Sequence, residues 1–227
     1  IMPRARAPRL ALAHVLSDRR AHAPRNHVPR PPRIRARPPS RVLRYRDLVD
    51  TAVSRPVDAP LADLVDHDRA VVDGWLALDL CDALADEARA LLGAGAMQPA
   101  QIGRGPARAV RPDIRGDRVT WLEDQPRTAA RAALFAALDR LRADLNRSTL
   151  LGLFDCEAQF AAYPPGAAYA AHLDRHHGTD ARLVSWVLYL NRGWTPDLGG
   201  QLRIHDPDAG PIDILPTAGR LVVFLSD

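Results

Sequence analysis

The second half of the sequence is divided into short apolar segments, and this division limits the possible folds more than any other feature of the chain. From residue 151 onward, segments with the length and residue types of strands alternate with connectors rich in Pro, Gly, Asp and Asn. The candidate strands are 156–163, 169–173, 183–190, 200–205, 212–215 and 220–225. Many short strands at regular spacing are typical of an antiparallel sandwich or barrel.

Two helices are predicted before these strands. Asp79 is the candidate N-cap of the first helix, which ends at Gly93. Thr128 precedes the second helix. The apolar face of this second helix holds Leu134, Leu138, Leu141 and Leu145. Between the helices, a turn at Gly116 leads into a further strand. Helices followed by strands predict an α+β domain with supporting helices on its N-terminal side.

The charge of the chain is distributed unevenly. Residues 1–46 contain 13 Arg, one acidic residue and 8 of the 20 Pro, and they contribute +12 to a total of +4, so residues 47–227 carry −8. Proline and repelling like charges predict a disordered or non-native tail over residues 1–55, order beginning near Ala59, and one domain over residues 56–227. An acidic domain disfavours nucleic-acid binding, which is expected only through the tail, if at all.

The sequence favours a cytoplasmic protein without membrane contact. Cys81 and Cys156 are far apart and form no C-x-x-C motif, which agrees with a reducing compartment. No apolar run approaches the ~18 residues of a membrane-spanning helix. The apolar stretch at residues 10–16 is short and is interrupted by His14, so it is not interpreted as a signal peptide.

Residues 172–174 carry the clearest indication of chemistry. Residues two apart in a strand point to the same face, so His172 and Asp174 would aim an imidazole and a carboxylate at one point. These ligands suit iron(II), whose two-His-one-carboxylate triad leaves three coordination positions for substrates. The alternative is a polar surface turn, and the short H-x-D pattern alone does not decide between the two interpretations.

Further motifs surround this pair. They are Ile114-Arg115-Gly116-Asp117 with Thr120-Trp121, Tyr163-Pro164-Pro165-Gly166, Tyr169, Tyr189-Leu190-Asn191 with Trp194, Gly199-Gly200-Gln201-Leu202-Arg203-Ile204, Pro216, Gly219-Arg220-Leu221, and Phe224 before Ser226-Asp227. In order and spacing, residues 113–226 resemble the 2-oxoglutarate and iron(II)-dependent prolyl hydroxylases. The similarity is greatest to the branch that holds the animal hypoxia-sensing enzymes and their bacterial relatives, and it extends weakly back to about Asp66.

This resemblance implies a double-stranded β-helix (jelly-roll) core and specific roles within it. His172 and Asp174 would hold Fe(II). Tyr189 and Tyr163 would bind 2-oxoglutarate, and Leu202 would pack against it. For Tyr189, a half-buried core tyrosine without a ligand role is the alternative.

The resemblance also implies contacts with a substrate. Tyr169 would line the peptide entrance, and Arg115 and Asp117 would belong to a loop over the active site. Asp117 is expected to pair with Arg182 across that loop. The alternative is that both are solvated surface charges.

The implied function is that of an Fe(II)- and 2-oxoglutarate-dependent dioxygenase that hydroxylates a peptidyl proline, releases succinate and CO2, and uses L-ascorbate as reductant. Its partner would be a protein or peptide that contains proline. One alternative is a catalytically inert binding domain on the same fold. Others are a hydroxylase of another residue or of a small molecule, and a nucleic-acid demethylase, which the acidic domain disfavours.

The sequence departs from the family at its C-terminal side. In the family a second histidine ligand follows shortly beyond the position of Asp227, and the basic residue that anchors the distal carboxylate of 2-oxoglutarate comes later still. Arg220 is not that residue, because it matches the Gly-Arg before the preceding strand. We therefore expect the last barrel strands to be missing, which would leave an unpaired edge and an open core. We also expect the 227-residue chain to bind iron weakly and to turn over poorly or not at all.

Overall fold

The structure, a computed structural model, describes residues 7–17, 60–103, 105–122, 128–174 and 183–226. The helices are α1 (Pro60–His67), α2 (Leu78–Gly93) and α3 (Ala129–Thr149). The strands are β1 (Arg9–Ser17), β2 (Arg69–Val72), β3 (Gln98–Pro99), β4 (Arg118–Trp121), β5 (Asp155–Cys156), β6 (Gln159–Tyr163), β7 (Val184–Tyr189), β8 (Leu202–Asp206), β9 (Gly210–Ile214) and β10 (Leu221–Leu225).

Most of the strands form one large antiparallel sheet. Its order is β2-β10-β7-β1-β6-β4-β3, and β5 pairs with the end of β1. Strands β8 and β9 form a separate hairpin, whose Ile204 and Ile212 pack with Val222 on one face of the sheet. Residues of α2 and α3 share a second buried cluster with the large side chains of Phe160 and Trp186. The predicted α+β class is therefore confirmed.

The alternation of side chains along the central strands separates these two faces. In β7, Trp186 and Leu188 belong to the cluster that contains the helices, whereas Val187 and Tyr189 lie with the hairpin. Successive strand residues point to opposite faces, so each central strand contributes both to the helix-side core and to the space under the hairpin.

The helices follow the sequence pattern closely. Thr128 is the N-cap of α3, and its side chain accepts a hydrogen bond from the backbone nitrogen of Arg131 at 3.1 Å. The four predicted apolar positions of α3 are buried. The prediction that Asp79 caps α2 is wrong, because the helix begins at Leu78 and Ala77 occupies the cap position. Asp79 lies in the first turn, where a carboxylate still interacts favourably with the helix dipole.

The predicted strand at 169–173 is not formed. The predicted strand at 156–163 is divided into β5 and β6, and the other predicted strands are present with shifted ends. This segment makes a single bridge between Tyr169 and Arg115. Its backbone bonds to the preceding loop instead, since Gly116 donates to the carbonyl of Ala168 at 2.9 Å and Ala170 donates to that of Ile114 at 2.8 Å. These loop contacts satisfy the backbone groups that a regular ladder would use.

Strand β1 is the largest departure from the sequence prediction. It lies within the segment expected to be a tail, yet it runs between β6 and β7 and pairs antiparallel with both. The expectation that order begins near Ala59 is wrong for these residues. Across the described strands the sheet is continuous from β2 to β3, so the expected open core is not found there. The alternation of Leu10, Ala11, Leu12 and Ala13 has the period of a strand, but the arginine and proline content of the surrounding residues obscured it. The domain boundary at residue 56 otherwise stays a prediction.

Neither cysteine forms a disulfide. Burial raises the pKa of both the Cys81 and Cys156 thiols to about 12, so both stay protonated at neutral pH. In the part of the chain that the structure describes, no helix has the length and apolar character needed to cross a membrane.

Replacement of Leu12 by Ala tests whether β1 belongs to the core. Leu12 is fully buried, and its truncation should lower the free energy of unfolding by about 2–5 kcal/mol. Leu150→Ala is the control, because Leu150 is 88% exposed and should change stability by less than about 0.5 kcal/mol. Urea denaturation followed by circular dichroism measures both. Equal stability of the two variants would show that β1 is not packed in the core.

Candidate metal and co-substrate site

A cavity of about 1280 Å³ lies between the hairpin and the large sheet. Its lining includes the small side chains of Ala11, Ala13 and Ala161, which come from the adjacent strands β1 and β6. Larger residues at these positions would fill the space, so the sequence of the central strands leaves room for a ligand. Of the predicted site residues, the cavity is lined by Tyr163, Tyr169, His172, Asp174, Tyr189 and Leu202.

His172 and Asp174 converge at this cavity. Nε2 of His172 lies 3.2 Å from Oδ1 of Asp174, and Nδ1 lies 2.8 Å from the carbonyl oxygen of Ala170. Burial opposes the charged imidazole, but the hydrogen bonds to Asp174 and Ala170 outweigh it and raise the pKa of His172. Each ring nitrogen thus faces an acceptor. His172 and Asp174 are the residues that would hold a metal ion here.

The separation of these two atoms fits shared coordination. Two ligand atoms about 2.1 Å from one metal ion and at right angles to each other are about 3 Å apart. The nitrogen and oxygen donors of His172 and Asp174 also suit Fe(II). Among the described residues, no three His, Cys, Asp or Glu side chains cluster in a way that would hold a metal ion. The described part of the chain therefore offers two of the three protein ligands that the resemblance implies.

The second oxygen of Asp174 is held by the sheet. Ser185 Oγ donates to Oδ2 of Asp174 at 2.5 Å and lies 2.9 Å from Ser226 Oγ. Both serines are 2% exposed. Because Oδ2 accepts the Ser185 hydrogen bond, the carboxylate is oriented with Oδ1 toward His172. The sequence prediction missed Ser185, whose signal is a polar residue among the apolar residues of β7.

The His172 ring is held by a chain of contacts from the neighbouring loop. Tyr169 stacks on it with ring centroids 3.7 Å apart, and the Arg115 guanidinium lies 4.6 Å from the Tyr169 ring centroid. Asp117 accepts from Arg115 at 2.8 and 3.0 Å, and its side chain is fully buried. Arg115 and Asp117 thus brace Tyr169 and do not line the cavity. Solvation of Asp117 as a surface charge is ruled out, and its expected partner Arg182 lies outside the described residues.

Two tyrosines flank β1 on the cavity side. Tyr163 pairs with Arg9 across β6 and β1, and Tyr189 pairs with Ala11 across β7 and β1. Burial raises the pKa of both phenols, and nearby Arg9 opposes this without cancelling it. Both hydroxyl groups therefore stay protonated at neutral pH and can donate hydrogen bonds to an anion. Leu202 packs in the same small cluster as Tyr189, on the hairpin side of the cavity.

Comparison with known proteins agrees with this geometry. Residues 158–227 match the 2OG-Fe(II) oxygenase superfamily. Over 169 residues the chain is 34% identical to Egl nine homolog 1 of Homo sapiens, covering 71% of this chain and 39% of that protein. Over 164 residues it is 30% identical to prolyl hydroxylase EGLN3 of Homo sapiens, covering 69% of this chain and 67% of that protein. The chain thus spans about two fifths of the length of the first of these relatives.

Solved structures show the same relationship. The crystal structure of a Pseudomonas putida prolyl-4-hydroxylase matches with a TM-score of 0.69 and 45% identity, covering 75% of this chain and 88% of that one. A Trichoplax adhaerens prolyl hydroxylase in complex with a hypoxia inducible factor oxygen degradation domain peptide fragment matches with a TM-score of 0.67 at 24% identity, covering 74% and 77%. The chain belongs to the 2OG-Fe(II) oxygenase superfamily. Its relatives are prolyl hydroxylases, and the predicted jelly-roll fold is confirmed.

Replacement of Ser185 by Ala tests whether this serine positions Asp174. Loss of the hydroxyl removes its hydrogen bond to Oδ2 and should lower the affinity for Co(II), used as an air-stable substitute for Fe(II), by about 10-fold. The affinity is measured by titration of the Co(II) absorption spectrum. Ser148→Ala, on the outer surface of α3, is the control and should bind as the unaltered protein does. An unchanged affinity in Ser185→Ala would assign Ser185 a purely structural role.

Proposed function

We propose that this chain is an Fe(II)- and 2-oxoglutarate-dependent dioxygenase that hydroxylates a proline in a protein or peptide and releases succinate and CO2. The observation that carries the proposal is the pair formed by His172 Nε2 and Asp174 Oδ1, 3.2 Å apart at a cavity lined by alanines and protonated phenols. Membership of the superfamily supports the same metal and co-substrate.

His172 and Asp174 would hold the metal ion. Fe(II) bound there would activate O2, with one oxygen atom used in the oxidation of 2-oxoglutarate to succinate and CO2 and the other in the new hydroxyl group of the substrate. Donation from Nδ1 to the Ala170 carbonyl would leave Nε2 as the nitrogen that binds a metal ion. The Ser185 hydroxyl holds Oδ2 of Asp174, which directs Oδ1 toward the same point.

The co-substrate would occupy the alanine-lined part of the cavity. Tyr163 and Tyr189 carry phenols that can donate hydrogen bonds to a carboxylate, since burial keeps them protonated. Leu202 would pack against the carbon chain of the keto acid from the hairpin side. L-ascorbate is the reductant we propose, by similarity to the family.

The peptide substrate would approach over Tyr169. The Tyr169 side chain lines the cavity and stacks on His172. Arg115, which is paired with Asp117, packs against the Tyr169 ring. We also keep Arg182 as a proposed substrate contact. The naming of EGLN3 and of the Pseudomonas putida protein as prolyl hydroxylases supports proline as the target. We place the protein in the cytoplasm, where free thiols are stable.

Replacement of His172 by Ala is the direct test of this proposal. Removal of the imidazole should lower Co(II) affinity by at least about 10-fold, abolish Co(II)-dependent binding of 2-oxoglutarate in isothermal titration calorimetry, and abolish any succinate formed with Fe(II). Ser148→Ala is again the control, because Ser148 is exposed on α3 and does not line the cavity.

Each outcome has a distinct meaning. Metal and 2-oxoglutarate binding that survive in His172→Ala would contradict the iron assignment. A chain that binds both ligands through His172, but forms neither succinate nor hydroxyproline with proline-containing peptides, would instead be an inert binding domain on the same fold.

A further inference from the structure

We propose that strand β1 is a functional part of this pocket, and that Arg9 is the cation that binds the distal carboxylate of 2-oxoglutarate. The inference rests on the proposed function. The family resemblance implies such a cation on a strand beyond Asp227, whereas here the candidate lies on a strand that precedes every other described strand in the chain.

The position of β1 in the sheet points Arg9 into the cavity. Leu10 and Leu12 are buried in the helix-side core, so the residues that alternate with them face the hairpin. Arg9, Ala11 and Ala13 all line the cavity. Ala11 and Ala13 leave space there, and Arg9 is the large, charged residue at the end of this row.

The backbone beside Arg9 is held by a buried side chain. Oδ1 of Asn191 accepts from the backbone nitrogen of Leu10 at 2.7 Å, and Nδ2 donates to the Leu10 carbonyl at 3.0 Å and to the Pro216 carbonyl at 2.8 Å. Asn191 is 7% exposed. Without β1 this buried amide would lose two of these partners, which is strongly unfavourable. Asn191 therefore recognises β1 specifically, although the two are 181 residues apart in the chain.

Two contacts hold the guanidinium of Arg9 in position. It lies over the Tyr163 ring, 4.1 Å from the centroid, and its Nη1 donates to the carbonyl of Gly200. A Cβ atom at position 200 would lie 2.6 Å from Nη1 and would displace the guanidinium, and Gly200 has φ +73°, a backbone conformation that favours glycine. The cation–π contact and the hydrogen bond fix the direction of the guanidinium.

The charge of Arg9 distinguishes it from its neighbours. Three arginines of the described residues line the cavity. Arg69 is paired with Asp206 at 2.5 Å, and Arg203 forms a two-point pair with Asp213 at 2.7 and 2.6 Å. Within the described residues, no carboxylate pairs with Arg9. Among these three arginines, Arg9 is therefore the one whose positive charge a bound anion can neutralise.

The chemistry of 2-oxoglutarate matches this arrangement. One end of the molecule is a keto acid that chelates a metal ion, and the other end is a plain carboxylate. Arg9, with the phenol donors of Tyr163 and Tyr189, presents a guanidinium and hydroxyl groups from three adjacent strands. A carboxylate held by charge-assisted hydrogen bonds in such a pocket should lose about 10- to 100-fold in affinity when the cation is removed.

The experiment uses the full chain loaded with Co(II) and two keto acids. 2-Oxobutyrate has the same metal-binding end as 2-oxoglutarate but lacks the distal carboxylate. Arg9→Gln should bind 2-oxoglutarate about 10- to 100-fold more weakly in isothermal titration calorimetry, with unchanged affinity for 2-oxobutyrate and for Co(II). Arg89→Gln is the control and should bind all three as the unaltered protein does, because Arg89 is an exposed residue of α2 that pairs with Asp86 and does not line the cavity.

Arg9→Lys is a second variant, which tests the inference even if Arg9→Gln does not fold. It keeps the charge but loses the planar two-point geometry, so its loss of affinity for 2-oxoglutarate should be smaller but measurable. Equal affinity for 2-oxoglutarate in every folded Arg9 variant and in the unaltered protein would overturn the inference. The proposed function would still hold in that case, provided that His172→Ala abolishes 2-oxoglutarate binding. Equal weakening of 2-oxoglutarate and 2-oxobutyrate would also overturn it, because Arg9 would then act on the shape of the site and not on the carboxylate.

Discussion

The backbone hydrogen bonds of β1 join the two halves of the large sheet. β6 and β7 are buried strands that both pair with β1 along most of its length. Buried N–H and C=O groups without partners are strongly unfavourable, so the facing edges of β6 and β7 require a strand between them. Because β1 fills that position, β10 and β2 on one side and β4 and β3 on the other belong to one continuous sheet.

The candidate site depends on the same pairing. β7 carries Ser185, which holds one oxygen of Asp174, and it also carries Tyr189 at the other end of the strand. The period of two in β1 places Leu12 in the core and Arg9 in the cavity. Ser185, which holds Asp174, and Arg9, the proposed carboxylate ligand, therefore lie on adjacent strands of one sheet, so their separation is set by a rigid element.

Local patterns predicted the parts of the structure that local forces determine. The leucines of α3 repeat at helical spacing, and the structure buries all four predicted positions. His172 and Asp174 converge as predicted, but in a loop and not in a strand, because the backbone of that loop bonds to residues near Gly116. The composition of the first 46 residues concealed β1, since many Arg and Pro residues surround a short alternating segment. Asn191 and Gly200 contact β1 over separations of 181 and 191 residues, and a single sequence carries no signal for such pairings.

Hydrogen exchange of the full chain, followed by mass spectrometry, tests the place of β1 most directly. The amides of residues 10–13 bond within a buried sheet, so they should exchange as slowly as those of residues 186–188 in β7, and more slowly still with Co(II) and 2-oxoglutarate bound. Exchange of residues 10–13 at the rate of an unstructured peptide, while β7 stays protected, would contradict the account, because the sheet would then be stable without β1.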